Sequence, residues 1–113
     1  MATTSPAISS ERGKVAIVTI HLDSKGEVER VNPEPFVISK AKYEQVLWEA
    51  SDPKAHFTVD FGDHSPFDYT QFSDAEPYSG LVRREVLGDP GKYYKYTVRA
   101  GGRSLDPGGV VDP

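Results

Sequence analysis

The chain has 113 residues, no cysteine and a net charge of -4, with 37% hydrophobic and 27% charged residues. That length supplies one hydrophobic core, and the absence of cysteine excludes disulfides, thiolate metal sites and cysteine nucleophiles. The acidic balance argues against a nucleic-acid partner, and no apolar run approaches the roughly 20 residues of a membrane helix, so no membrane association is expected.

The opening "MATTSPAISSERGK" has no basic segment followed by an apolar one, so no secretory signal is expected and the cytoplasm is the expected compartment. Residues 1–13 read as a flexible tail, and 14–113 as a single domain. "KVAIVTIHL" (14–22) is β-branched and reads as a strand, with Val15, Ile17, Thr19 and His21 on one face and Ala16, Val18, Ile20 and Leu22 on the other. "DSKGE" is a turn and "VERV" (28–31) alternates like a half-buried strand. In "NPEPFVIS", Pro33 and Pro35 confine the start of the next strand to an edge or an extended entry.

Strands are expected at 44–50 and 56–61, joined through Asp52-Pro53, with room for a helical turn at 40–44. The stretch 62–80, "GDHSPFDYTQFSDAEPYSG", lacks periodicity and reads as a long loop, a kind of segment that is usually functional or mobile. "LVRREVL" (81–87), a turn "GDPG" and "KYYKYTVRA" (92–100) read as strand, turn and strand. Gly101-Gly102 then signals a hairpin whose second arm is 103–111. Seven or eight short strands at this spacing predict an all-β fold, an antiparallel sandwich or barrel.

With Gly101-Gly102 as the loop, Ala100 faces Arg103, Arg99 faces Ser104, Val98 faces Leu105 and Thr97 faces Asp106. Alternation then places Tyr94, Tyr96, Val98 and Leu105 on the core face, and Lys95, Thr97 and Asp106 on the other. Lys95 lies on the diagonal from Asp106, within reach of a long side chain.

Three constellations bear on function. His56 and His64 in "HFTVDFGDH" have no recognised ligand spacing, so structural roles are expected for them, as for His21; no metal and no cofactor is expected. The aromatics Phe67, Tyr69, Phe72 and Tyr78 of the long loop are candidates for binding a protein or small molecule, although packing within the loop is the stronger expectation. The third constellation is Asp106-Pro107 with Lys95 and Thr97. An Asp-Pro bond is weak because the carboxyl attacks its own carbonyl and the proline nitrogen leaves well once protonated. A lysine held neutral by desolvation is an alternative nucleophile, and a threonine hydroxyl orients water or donates to the developing oxyanion. The competing interpretation is an exposed cross-strand ion pair, worth under about 1 kcal/mol.

"VLWEASDPKAHFTV" followed by "GKYYKYTV" resembles the cupredoxins in fold only, which implies a single antiparallel β-sandwich of cupredoxin-like or Ig-like Greek-key type without a copper site. His56 falls at their first histidine ligand, but Val98 stands where the thiolate belongs, with Gly101 and Arg103 where the later histidine would be. "NPEPFVIS" with Glu34-Pro35, and "YKYTVRAGGRSLDP" with Asp106-Pro107, look like the DP-EP family of small bacterial cupredoxin-like β-sandwiches, over roughly residues 14–111. That resemblance implies an autoproteolytic, aspartic-peptidase-like activity. The Asp106-Pro107 bond would be cut, "PGGVVDP" would stay docked as a strand, and Lys95 would become linked to Asp106 in an isopeptide-like bond, with Thr97 as the nearby hydroxyl. Asp112-Pro113 is the weaker candidate. Glu34, Glu49 and Asp60 remain open as the activating carboxylate, and a monomer or weak homo-oligomer is expected.

Overall fold

A computed structural model describes residues 13–113. Ten strands follow in chain order: β1 (Val15–Leu22), β2 (Val28–Asn32), β3 (Phe36–Ser39), β4 (Gln45–Ala50), β5 (Thr58–Asp60), β6 (Gln71–Ser73), β7 (Asp89–Lys95), β8 (Thr97–Ala100), β9 (Arg103–Leu105) and β10 (Gly108–Asp112). One 3₁₀ turn, Gly62–His64, is the only helical piece among the described residues. The tail expected at 1–13 lies outside the described residues except for Gly13, whose N–H donates to the Tyr43 carbonyl at 3.1 Å.

The strands form three sheets, ordered β2-β1-β4, β3-β10-β7 and β6-β5-β8-β9, in an all-β, sandwich-like arrangement. Two pairings, β1 with β4 and β10 with β3, are parallel, so the architecture is not purely antiparallel as expected. Alternation within a strand tells which side chains share a face but not which strand lies alongside.

All three sheets contribute to one core. Val18 and Ile20 of β1, Phe36 and Ile38 of β3, Val59 of β5, Val98 of β8 and Val111 of β10 are buried in it. On β1 the face holding Val18 and Ile20 points inward while Ile17 is half exposed, as the alternation requires. Trp48 sits among Phe36, Phe61, Phe67, Phe72 and Tyr96, with its ring stacked on Phe72 at a centroid distance of 5.1 Å. Burying such rings stabilises by area and adds roughly 0.5–1.5 kcal/mol per well-oriented pair.

Three expectations for the second half change. The stretch 81–87 is not a strand: Val82 forms one isolated bridge with Phe67, Arg84 and Glu85 lie in a turn, and Leu87 is exposed. The presumed turn at Asp89-Pro90 opens β7, an edge strand, where proline costs no ladder hydrogen bond. The long loop contains the short strand β6, paired antiparallel with β5.

The fourth change positions the site. The run 92–100 is not one strand but two, separated at Tyr96: β7 belongs to one sheet and β8 to another. Its partner run 103–111 divides likewise, at Asp106-Pro107, into β9 and β10. Both runs therefore change sheets at the same level, and the Tyr96 N–H donates to the Pro107 carbonyl across the gap at 2.9 Å.

Candidate functional site

The hairpin closing on Gly101 and Gly102 takes the expected register: Val98 opposite Leu105, Arg99 opposite Ser104 and Ala100 opposite Arg103. Gly101 has φ +63°, a left-handed value that a β-carbon would penalise. That register places Thr97 beside Asp106, and the Thr97 Oγ1 hydroxyl donates to Asp106 Oδ1 at 2.8 Å. The hydroxyl is therefore committed to the carboxylate of Asp106, so its first role is to orient that side chain. Tyr94, Tyr96 and Val98 are buried and Leu105 is partly so, as their shared core face requires.

Lys95, Thr97 and Asp106 line one surface cavity of about 310 Å³, together with Asp60, His64 and Tyr96. Lys95 is opposite Gly108 in the β7–β10 ladder, so its stem starts one strand step from the Asp106-Pro107 bond. Lys95 and Asp106 are both exposed, and no ion pair joins them. The buried, desolvated setting anticipated for the lysine is therefore absent.

Beyond the bond, Pro107, Gly108 and Gly109 are buried. The two glycines are required by packing: a β-carbon on Gly108 would run into the Tyr93 ring, and one on Gly109 into the Phe36 ring. β10 is the middle strand of its sheet, paired on both sides. Further anchors are the Lys40 N–H, which donates to the Asp112 carbonyl at 2.9 Å, and the Ser39 hydroxyl, which donates to the Pro113 carbonyl at 2.9 Å.

The Tyr93 hydroxyl donates to the Glu34 carboxylate. This hydrogen bond, with some help from burial, raises the Tyr93 phenol to about 12. Burial likewise pushes the Tyr96 phenol far up, so it is neutral throughout the ordinary pH range.

The alternative aromatic set is not brought together as a binding surface. Phe67 and Phe72, offered as loop contacts, belong to the core around Trp48. Tyr78 is partly buried in an isolated bridge with Leu47, and Tyr69 alone of the four is well exposed, at 73%. A signal for this was present, because a Phe every fifth or sixth residue in an otherwise polar loop needs a core to enter.

His56 and His64 are also separated in role. His56 Nδ1 lies 2.8 Å from Asp74 Oδ2 at the surface, and that hydrogen bond is the main reason the Asp74 carboxyl sits below its ordinary range. His64, on the 3₁₀ turn, lines the Lys95 cavity instead. Among the described residues no group of three or more His, Cys, Asp or Glu is placed to hold a metal ion. Also among them, no helix is long and apolar enough to cross a membrane.

Comparison with protein-family models, with curated proteins and with solved structures finds no match to this chain.

Proposed function

We propose that this β-sandwich protein processes itself at the Asp106-Pro107 bond, with Lys95 as the nucleophile. The Lys95 amine adds to the Asp106 carbonyl carbon, the carbon–nitrogen bond to Pro107 breaks, and the Pro107 nitrogen takes up the proton that the amine gives up. One amide is exchanged for another: Lys95 becomes linked to Asp106, and the segment 107–113 gains a new amino terminus. Water in place of the amine gives the simpler aspartic-peptidase-like cut, with no linkage.

The observation that carries this reading is the shared cavity that holds Lys95 beside the Thr97–Asp106 pair. Holding reacting groups together in a productive geometry lowers the entropic part of the barrier. Thr97 orients the Asp106 side chain, and the Tyr96–Pro107 hydrogen bond fixes the far side of the bond to be broken. The likeness of "NPEPFVIS" and "SLDP" to the DP-EP family supports the same reading, and its expected docked strand is consistent with a β10 paired on both sides.

Denaturing mass spectrometry of incubated protein tests it. Lysine attack yields residues 107–113 and a larger fragment that is one water lighter than the hydrolysis fragment. Lys95→Arg retains the positive charge and abolishes the lighter species. A chain that stays whole and unmodified through prolonged incubation rules the proposal out.

A further inference from the structure

Attack by Lys95 needs a group to accept the proton of its ammonium, because only the free amine is a nucleophile. Three carboxylates were open for such a role, and the fold separates them. Glu34 is engaged by the Tyr93 hydroxyl. Glu49 is on β4, opposite Thr19 of β1, and lines a different cavity with Asp52 and Asp74. Asp60, at the end of β5, is the one of the three that lines the cavity of Lys95, Thr97 and Asp106.

Asp60 stands directly opposite Thr97 in the β5–β8 ladder. Directly opposed residues share a face, with β-carbons about 5 Å apart. Thr97 is in turn bonded to Asp106. A row Asp60–Thr97–Asp106 thus runs from β5 across β8 to the break between β9 and β10, and Lys95 lines the same cavity.

The Asp60 side chain is held in place: the Gly62 N–H donates to Oδ1 at 2.8 Å and Gln71 Nε2 donates to Oδ2 at 3.4 Å. The longer contact is the weaker, which makes Oδ2 the oxygen available to take a proton. The other ionisable groups around Asp60 are His64, Lys95 and Asp106 in this cavity, and Glu76 and Arg99 in the neighbouring one that Asp60 also lines.

We infer that Asp60 is the proton acceptor for Lys95, a role that rests on the self-processing reading and completes it. The Lys95 ammonium passes one proton to Asp60. The free amine adds to the Asp106 carbonyl carbon, and the bond to Pro107 breaks. The amine's second proton goes to the Pro107 nitrogen as it leaves. The Asp60 proton then goes to the freed proline amine, making it a cation and restoring the carboxylate, so charge and protons balance.

The test is the rate of appearance of the lighter large fragment in wild type, Asp60→Asn and Glu49→Gln, as a function of pH. Asp60→Asn retains an oxygen for the Gly62 N–H but no longer takes the proton. It should slow conversion by roughly 10² or more, as loss of a general base does, and its residual rate should climb steadily with pH. Glu49→Gln neutralises a carboxylate of a different cavity and should stay near the wild-type rate with an unchanged pH profile. Where Asp60→Asn does not fold, Asp60→Ser supplies a turn-compatible acceptor for the same N–H and should show the same loss.

A folded Asp60 variant that converts within about threefold of wild type, with the wild-type pH profile, overturns the role of Asp60 and leaves self-processing standing. A wild-type chain that does not convert overturns both.

Discussion

The Tyr96 N–H donates to the Pro107 carbonyl at 2.9 Å, and this hydrogen bond bridges the level at which both strand runs pass from one sheet to another. Tyr96 also anchors this joint from inside, packing against Phe61 at 4.9 Å and Trp48 at 5.7 Å between ring centroids. The weak Asp-Pro linkage is therefore set in a rigid frame: its carboxylate is held by Thr97 on one side and its proline by Tyr96 on the other.

The glycines of β10 provide a graded test of that frame. Gly109→Ala pushes a methyl into the ring of Phe36, which is fully buried and has nowhere to go, so a loss of about 3 kcal/mol is expected. Gly108→Ala meets the ring of Tyr93, which is 47% exposed and able to swing outward, at a cost of about 1 kcal/mol. Urea denaturation of both variants checks the order. Equal losses would mean that β10 is not gripped as described.

The aromatic segment between β5 and the end of the long loop separates folding from binding. Phe72→Ala removes a ring stacked on Trp48 and should cost about 4 kcal/mol. Tyr69→Ala removes an exposed ring and should change stability by no more than about 0.5 kcal/mol. Thermal or denaturant unfolding reads both, and a large loss at Tyr69 would contradict its placement.

Alkaline stability reports on the Tyr93–Glu34 contact. The folded state holds the neutral phenol to about 12, against 10.0 for the unperturbed group, chiefly because the hydroxyl donates to Glu34. A folded-state value raised in this way gives stability that is fully present below pH 10 and is lost as pH rises towards 12. Wild-type protein should therefore lose stability relative to Tyr93→Phe across that window. Denaturant midpoints measured against pH provide the comparison, and parallel curves would remove the contact from the account.

Much of this could be read from residue patterns, and the exceptions have a common physical origin. The hairpin register was legible because two glycines fix a tight turn and alternation does the rest; Val98 does lie opposite Leu105. The inward face of β1 was legible for the same reason. The division of "KYYKYTVRA" at Tyr96 was not, because a bulky aromatic favours strands whether or not the strand stays in one sheet. "LVRREVL" has strand-forming residues at its ends but pairs only at Val82, through one bridge to Phe67, and pairing is a property of the whole fold. In the site, Lys95, Thr97 and Asp106 were legible from local register, whereas Asp60 was one of three open carboxylates until the β5–β8 ladder, which brings together residues far apart in the chain, set it apart.

The simultaneous change of sheets also determines how tension would travel through the molecule. In the intact chain a pull on β10 is transmitted through the Asp106-Pro107 bond into β9, and so from one sheet to the other. A Lys95–Asp106 amide would reroute that load. It would close residues 95–106 into a covalent ring around the Gly101-Gly102 turn and tie β7 to the end of β9. β10 would then be held without a covalent link, by its two ladders, the rings of Phe36 and Tyr93 and the hydrogen bonds from Ser39, Lys40 and Tyr96. Such a molecule keeps its shape at rest and parts into two pieces only when denaturant or force peels that strand away.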